Sequence, residues 1–238
     1  MSADGVSARL TAVLASVEQA AKLAGRPGGV RLLAVSKMQP VEALREAYAA
    51  GQRDFAENYV QELARKAESL ADLPELRFHL IGHLQRNKAK QVVRSASAVH
   101  TVDSVELARE LDKRMAGTEV PSERRAFGSD PRLPVLVEVS IAGEAQKSGC
   151  APGEVAAVLG AVESAASLRL VGLMCVPPLT GDPSASRPHF DALARLRDEH
   201  GGPARLPELS MGMTADFEHA IAAGATLVRV GTGIFGAR

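Results

Sequence analysis

Short apolar runs alternate with segments of helical periodicity along almost the whole chain. Each run is bounded by turn-forming residues and is too short for a helix, so it predicts a buried strand. Helix-start residues such as Ser104 follow several runs, and glycines such as Gly51 end several periodic segments. The predicted strands are Arg31–Ser36, Asp54–Glu57, Phe78–Ile81, Ala98–Val102, Pro134–Val139, Leu168–Val176, Glu208–Met211 and Thr226–Val230. The predicted helices are Pro40–Ala50, Val60–Ala71, Gln85–Arg94, Val105–Ala116, Pro152–Ala165, His189–Glu199 and Ala215–Ala223.

Strands that alternate with helices indicate parallel β-α units, and 238 residues suffice for one closed barrel. We therefore predict an α/β fold made of a single (β/α)8 TIM-barrel domain over residues 1–238. The amphipathic segment over residues 1–28 adds an N-terminal helix before the barrel. An open doubly wound sheet is the alternative, but no GxGxxG motif follows the first strand.

Composition narrows the classes of function. The 28 basic residues balance the 28 acidic residues, aromatic residues make up 3% of the chain, and tryptophan is absent. Such a chain has no net field to attract nucleic acid and little to stack on bases, so we expect no nucleic-acid partner. No stretch reaches the roughly 18 apolar residues of a membrane helix, and Cys150 and Cys175 have no metal-site spacing. We expect a soluble, reduced and cytoplasmic protein with no membrane partner.

A barrel assigns each loop to one of its two ends, because active sites lie at the C-terminal ends of the strands. The loop 117–132 joins a helix to the fifth strand, so we expect a mobile surface loop at the opposite end. The loop 177–188 follows the sixth strand and belongs to the active end, where either a lid or plain disorder fits its length.

Two cations stand in strands that are otherwise apolar. Lys37 ends the first strand, and Arg229 lies within the last, in the segment "TLVRVG". A buried guanidinium needs an acceptor, and an internal salt bridge to a carboxylate such as Glu138 is one interpretation. A lysine at the barrel mouth has two explanations. Its amine reaches water along the strand end, or it is a neutral amine that forms a Schiff base with an aldehyde.

Glycines and hydroxyls accompany the last two strands, at the positions where this barrel commonly binds phosphate. Ser210 and Gly212 belong to the seventh strand and its loop, and Gly231 and Thr232 follow the eighth. Backbone N–H groups at glycines and at a helix N-terminus approach phosphate oxygens closely, and hydroxyls add donors. Ordinary turn glycines and cap hydroxyls are the alternative. Together with Lys37, these residues indicate a phosphorylated aldehyde, either pyridoxal 5′-phosphate or the sugar phosphate of an aldolase.

The remaining candidates have structural explanations as well. Asn58 can cap a helix or bind a ring hydroxyl, and His79 is typical of a satisfied core histidine. Met174 and the neighbouring Cys175 are typical of packing.

Several segments together resemble the pyridoxal-phosphate homeostasis proteins, which have the fold of the N-terminal barrel domain of alanine racemase. The resemblance runs from about the first strand to the C-terminus. The matching segments are "LLAVSK", "FAENYVQE", "FHLIGHLQRNK", "VHTVDS", "KSGC", "GLMCVPP", "LSMGMTADFEHAI" and "VRVGTGIFGAR".

The resemblance implies a barrel that binds pyridoxal phosphate in the fold-type III manner. Lys37 would be the Schiff-base lysine, Arg229 would face the pyridine nitrogen, and Asn58 would lie near the ring. Ser210 and the loop after the eighth strand would hold the phosphate. The cofactor-binding candidates are then Lys37, Asn58, Met174, Ser210, Gly212, Arg229, Gly231 and Thr232.

The implied function is the homeostasis of pyridoxal phosphate and amino acids, without efficient catalysis. An arginine beside the ring nitrogen disfavours its protonation and weakens the ring as an electron sink. Racemases of this fold add a tyrosine base from a second domain, whereas this chain offers only Tyr48, inside a helix, and Tyr59, just past the second strand. A racemase that uses Tyr59 or a water is the alternative. A lysine-dependent aldolase and a binding module without a small ligand are further ones.

One segment departs from the family pattern. "EVSIAGEAQKSG" lacks the usual amide-bearing strand end, which leaves the roles of Glu138 and Gln146 open.

Pyridoxal-phosphate-dependent apoenzymes are the expected protein partners, and we expect a monomer.

Overall fold

The strands close into a barrel in the order in which they occur along the chain. The computed structural model describes residues 5–143, 148–178 and 181–236. Within these ranges each strand pairs in parallel with the next, and the last pairs with the first, which confirms the predicted TIM barrel. The strands are β1 (Arg31–Val35), β2 (Asp54–Glu57), β3 (Arg77–Leu80), β4 (Ala98–Val102), β5 (Leu133–Glu138), β6 (Leu168–Met174), β7 (Glu208–Met213) and β8 (Leu227–Val230).

Helices connect the strands, and one further helix precedes them, as predicted. The helices are α1 (Val6–Leu23), α2 (Val41–Ala49), α3 (Val60–Ser69), α4 (Ala89–Val92), α5 (Val105–Met115), α6 (Val155–Glu163), α7 (Arg187–Glu199), α8 (Gly202–Arg205), α9 (Phe217–Ala222) and α10 (Thr232–Phe235). Short 3-10 turns occur at Arg86–Lys88, Ser122–Arg124, Pro152–Glu154 and Pro183–Ser186. Two differences from the predicted boundaries matter. β7 runs on to Met213, and the helix predicted over Gln85–Arg94 is a 3-10 turn followed by the short α4.

Aliphatic side chains fill the layer between the strands and the helices. In β5 alternate residues face outward, so Val135 and Val137 join this outer core. In α5 the residues Leu107 and Leu111, four positions apart, bury the same helix face. Each helix is therefore held by the apolar stripe that its periodicity predicts.

The N-terminal helix α1 closes the layer beside the last β-α unit. Val6, Leu10 and Val17 lie on one buried face of this helix, which packs against α2, α9 and α10. Arg9 adds a hydrogen bond from its Nε to the carbonyl oxygen of Ile234, at 2.7 Å. This hydrogen bond joins α1 to α10, the first and last helices of the described residues.

The barrel interior holds apolar and polar residues next to each other. Interiors of this fold are usually filled by branched aliphatic residues. The apolar interior residues are Leu33, Ala56, Leu136, Val171, Met174 and Leu227. The polar residues buried within the barrel include Asp54, His79, His100, Ser210 and Arg229, each at most 6% exposed.

The loop 117–132 lies at the N-terminal end of the barrel, as predicted, but it is more than a surface loop. The ring of Phe127 packs edge-on against His79, with 5.8 Å between ring centroids. The guanidinium of Arg31 lies 4.7 Å from the centroid of the same ring and donates to the carbonyl oxygen of Ala126 at 3.0 Å. Phe127 thereby covers the N-terminal end of the barrel interior, its floor, while the expected mobility of the loop stays a prediction.

Three further features bear on function. No helix in the described ranges is long and apolar enough to cross a membrane. The described residues contain no cluster of histidine, cysteine and carboxylate side chains that could hold a metal ion. Cys150 and Cys175 are free and buried, and burial raises the pKa of each thiol to about 12.

Candidate functional site

A cavity of about 540 Å³ opens at the C-terminal end of the barrel. Its walls are the ends of β1, β2, β7 and β8 together with parts of the loop 177–188, and it contains Lys37, Asn58 and Arg229. Pro178, Pro183 and Ser186 place that loop against the cavity, whereas residues 179 and 180 lie outside the described residues. A larger groove of about 930 Å³ lies outside the barrel between α1 and α9, and none of the predicted site residues lines it.

Lys37 is half-buried at the cavity, in the turn that follows β1. Its neighbour Met38 has a φ of 62°, a left-handed conformation that is unusual for a side chain other than glycine. The backbone N–H of Met38 donates to Oε1 of Glu62 at 2.6 Å, which holds this conformation. The direction in which the chain leaves β1 is thus set by a carboxylate of α3.

A buried ion network lies beneath this turn. Nζ of Lys66, a residue 2% exposed, donates to Glu57 at 2.7 Å, to Glu62 at 2.8 Å and to the carbonyl oxygen of Ser36 at 2.5 Å. The hydroxyl of Ser36 donates to the same oxygen of Glu57 at 2.7 Å. Burial raises the pKa of Glu57, while Lys66 and Ser36 oppose that rise. Both residues that flank Lys37 are therefore tied to one network.

Arg229 is 3% exposed and borders the cavity from within β8. Its Nη1 donates to Oγ of Ser210 and its Nη2 donates to the carbonyl oxygen of Cys175, both at 2.9 Å. The acceptors are thus a hydroxyl and a backbone carbonyl, whereas the salt bridge to Glu138 considered from the sequence is not among the ion pairs of the described residues. Burial lowers the pKa of Arg229 from its ordinary value, and Glu138 opposes that shift through space.

Glu138 is the last residue of β5. It is 6% exposed, and its Oε2 has no hydrogen-bond partner among the described residues. Burial raises the pKa of Glu138 to about 7, Asp103 raises it further, and Arg229 opposes the rise. Gln146, the other residue of the departing segment, lies outside the described residues.

Asn58 follows β2 and lines the cavity. It does not cap α3, whose N-cap is Tyr59 without a side-chain hydrogen bond. Its Oδ1 is buried and has no hydrogen-bond partner in the described residues, and such an orphaned acceptor is uncommon in native proteins. The amide is thus positioned to accept a hydrogen bond from a ligand.

The loops after β7 and β8 meet on the far side of the cavity. Gly231 and Thr232 line it, together with Met213 and Thr214. Oγ1 of Thr232 lies 3.3 Å from Oγ1 of Thr214, so two hydroxyls stand side by side. A Cβ on Gly231 would lie 3.1 Å from the carbonyl oxygen of Val35, which explains a glycine where β8 approaches β1.

Three of the predicted cofactor contacts are not among the residues that line the cavity. Ser210 pairs with Leu227, one layer beneath Arg229, and is fully buried. Gly212 has a φ of 92°, and a Cβ there would lie 2.5 Å from the Cβ of Ala220, so its glycine serves the packing of α9. Met174 is fully buried among the apolar residues of the barrel interior.

The residues that the sequence prediction missed follow from the longer β7. Because this strand continues to Met213, which pairs with Arg229, the cavity level is reached at residues 213–216 instead of at Ser210. Thr214 and Asp216 line the cavity there. Asp216 is buried, and its Oδ1 accepts the N–H of Met213 at 2.6 Å. The register of β7 against β8 shifts between Ser210 and Met213, so no periodic signal in the sequence indicates this level.

Neither tyrosine lies among the residues that line the cavity. Tyr59 is 58% exposed, and the hydroxyl of Tyr48 donates to the carbonyl oxygen of Pro74 at 2.5 Å. The cavity therefore combines one amine, one buried guanidinium and paired hydroxyls, a set suited to an anionic aldehyde with a ring acceptor.

Comparison with known proteins gives a consistent result. Residues 8–238 match the family model described as alanine racemase, N-terminal domain. The pyridoxal phosphate homeostasis protein of Pseudomonas aeruginosa is 45% identical over 98% of this chain and 96% of its own length. The human protein of the same name is 41% identical over 100% of this chain and 89% of its own length.

A solved structure gives the same picture. PipY of Synechococcus elongatus, solved with pyridoxal phosphate bound, superposes with a TM-score of 0.78 at 36% identity, over 97% of this chain and 100% of that one. The similarity to these proteins extends over almost the entire sequence. The chain belongs to the family of pyridoxal phosphate homeostasis proteins, with an alanine racemase N-terminal domain over residues 8–238.

Proposed function

We propose that this protein binds pyridoxal 5′-phosphate as a Schiff base on Lys37 and acts in the homeostasis of the cofactor and of amino acids. The observation that carries the proposal is that Lys37, Arg229 and the hydroxyls of Thr214 and Thr232 line one cavity. The names of its relatives and the cofactor in PipY support the same ligand.

The residues present fit this cofactor. A cavity of about 540 Å³ is within the usual range for small-molecule sites. Asn58 presents a buried Oδ1 that lacks a partner in the described residues, which suits a hydroxyl on a ring. Thr214 and Thr232 would hold the phosphate together with the first amides after Gly231, which have no acceptor within their own helix. We assign no cofactor contact to Met174, Ser210 or Gly212.

The cofactor would supply an aldehyde, the group with which an amine condenses to a Schiff base and one water. The protein contributes the amine of Lys37, and the turn that carries this residue rests on the pair of Lys66 and Glu57. Arg229 lines the cavity and would offer N–H donors to the ring nitrogen, and a guanidinium there would disfavour protonation of that nitrogen. The bound ring would be a weak electron sink, so we propose no efficient catalysis.

The alternative of an amino-acid racemase gains no support from the geometry. An efficient racemase needs a second acid–base group opposite the lysine. Tyr59 points largely to solvent, and the carboxylate of Asp216 is engaged by the N–H of Met213. We therefore retain cofactor binding as the proposed function.

Absorption spectroscopy tests the binding proposal. Titration of the purified protein with pyridoxal phosphate should produce the visible band of a Schiff base. Lys37→Ala should abolish this band and weaken binding. The matched variant Lys113→Ala, at an exposed position of α5, should behave as the wild type. An unchanged spectrum in Lys37→Ala would contradict the proposal.

The proposed role in homeostasis requires that the cofactor reach other proteins. We propose pyridoxal-phosphate-dependent apoenzymes as the recipients. We also propose that the protein is a monomer of one domain and acts in the cytoplasm. Loaded protein mixed with an apo-aminotransferase, in the presence of a phosphatase that destroys free cofactor, should restore the aminotransferase faster than an equal amount of free cofactor does. Equal or slower restoration would show that the protein does not protect the cofactor during delivery. The molar mass from light scattering would test whether the protein is a monomer.

A further inference from the structure

A chain of hydrogen bonds runs through the barrel interior, from the cavity to the floor. Nη1 of Arg229 lies 2.9 Å from Oγ of Ser210, which lies 3.0 Å from Nδ1 of His100. Nε2 of His100 lies 2.9 Å from Nδ1 of His79, whose Nε2 lies 3.1 Å from Oδ1 of Asp54. All five residues are buried.

The chemistry at its two ends gives the chain one direction. A guanidinium only donates, so Oγ of Ser210 accepts from Arg229. The carboxylate of Asp54 only accepts, so a neutral His79 carries its proton on Nε2 and accepts at Nδ1. His100 must then carry its proton on Nε2 and donate to Nδ1 of His79, which leaves its own Nδ1 to accept the hydroxyl proton of Ser210. With both rings neutral, every link has one donor and one acceptor.

Charge and burial favour the neutral rings. Burial lowers the pKa of His79, an effect that Asp54 opposes and that Arg31 and Arg77 reinforce. Burial also lowers the pKa of His100 well below its usual range, with His79 and Arg229 acting in the same direction. A second proton on His79 would set two N–H donors against each other at the contact with His100.

The floor of the barrel anchors the chain. Burial opposes ionisation of Asp54, but hydrogen bonds from His79 and Arg77 hold the pKa of this carboxyl well below its usual range. Arg77 makes two of these contacts, from Nε at 2.6 Å and from Nη2 at 2.9 Å. Phe127 packs against His79 and closes the floor beneath it. The last acceptor of the chain is thus a buried carboxylate that stays ionised at neutral pH.

We propose that His100 and His79 are positioning residues for Arg229, each held as the neutral Nε2–H tautomer by this one-directional chain. Ser210 then presents a lone pair to Arg229, since its proton points to His100. Two guanidinium N–H groups are occupied by Ser210 and by the carbonyl oxygen of Cys175. Others remain for a ligand acceptor in the cavity. The contact of these N–H groups with a ligand rests on the proposed function, whereas the assignment of the two tautomers does not depend on it.

Nitrogen-15 NMR of the ligand-free protein tests the tautomers directly. The chain contains 6 histidines, and the variants His79→Gln and His100→Gln assign the two signals. Both rings should show a protonated Nε2 and an unprotonated Nδ1, without change between about pH 5.5 and pH 8. A protonated Nδ1 on either ring, or titration in this interval, would overturn the proposal, whether or not the protein binds pyridoxal phosphate.

Substitutions test whether the chain positions Arg229. His100→Phe removes the acceptor for Ser210 and should weaken cofactor binding about tenfold, the effect of one lost hydrogen bond, and shift the visible band. His100→Asn returns an acceptor near the place of Nδ1 and should restore both. The matched control His200→Phe, at the end of α7, should change neither.

Folding is separated from positioning by Ser210→Ala, a smaller change in the same chain. It should fold and show the same weakened binding and the same shifted band as His100→Phe. Wild-type binding and spectrum in a folded Ser210→Ala protein would overturn the positioning role. If the wild type also failed to bind pyridoxal phosphate, the proposed function would be wrong. The tautomer measurement would then still test the hydrogen-bond chain.

Discussion

The layer between the barrel and its helices differs sharply from the interior of the barrel. The outer core consists of residues such as Leu63, Leu111 and Val158, which need only suitable volume and apolar surface. The interior instead buries an arginine, two histidines, a serine and an aspartate among its apolar residues. Burying a polar group is unfavourable unless it is hydrogen-bonded, so these residues require specific partners, whereas the outer core requires only apolar side chains of suitable volume.

The difference indicates where function constrains the fold. Branched aliphatic residues usually fill the interior of this fold, so buried polar residues are not a general requirement of the barrel. Here they connect a cation at the cavity with an anion at the floor, with donors and acceptors matched at each link. The polar interior therefore makes sense as support for a ligand site, while the outer core explains stability.

The largest expected effect comes from breaking the ion network below Lys37. Lys66→Met should destabilise the protein by about 4 kcal/mol, because Glu57 is left buried without its cation. It should also weaken cofactor binding, since the turn that carries Lys37 loses its support. Chemical denaturation and a binding titration measure the two effects, with Lys113→Met as the exposed control. Unchanged binding in a folded Lys66→Met protein would contradict the support of Lys37.

A cavity in the outer core should affect stability alone. Leu111→Ala, at a fully buried position of α5, should lower the free energy of unfolding by about 3 kcal/mol. The affinity for pyridoxal phosphate should stay at the wild-type value, because no residue of the cavity changes. A parallel loss of affinity would mean that the two cores are coupled.

Glu138 offers a test inside the barrel that depends on pH. Its pKa is raised to about 7 in the folded state, so it stabilises the fold fully at low pH and loses this contribution as pH rises through 7. Glu138→Gln removes the ionisation and should be more stable than the wild type at pH 8 by about 3 kcal/mol. At pH 4 the advantage should vanish. Equal stability of the two proteins at both pH values would show that this carboxyl is not desolvated.

The smallest effect is expected at the surface. Tyr59→Phe removes a hydroxyl that does not line the cavity, so the spectrum of the bound cofactor should not change. The exchange of amino-acid Cα protons with deuterated solvent should remain as slow as in the wild type. A marked decrease of this exchange would revive the racemase alternative.

The sequence predicted the architecture well, because alternating strands and helices leave a local periodic signal. Helix stripes such as Leu107 and Leu111 and the position of Lys37 at a strand end are read from neighbours along the chain. The same holds for Gly231 and Thr232, which follow β8 directly and line the cavity.

The sequence did not predict at which depth inside the barrel each residue lies. Ser210 and Thr214 both fit a phosphate loop as sequence, and only the extension of β7 to Met213 separates the layer below the cavity from the cavity itself. The contacts of His79 with His100 join strands that the sequence does not place in register. The role of Phe127 as a floor also depends on a long connection that carries no periodic signal.

Borohydride reduction followed by peptide mapping tests the central claim most directly. Reduction of the loaded protein converts a Schiff base into a stable bond, so the cofactor remains on whichever lysine formed it. The account predicts one modified peptide, carrying pyridoxyl phosphate on Lys37. A stable label on another lysine, or no label after saturation with the cofactor, would contradict it.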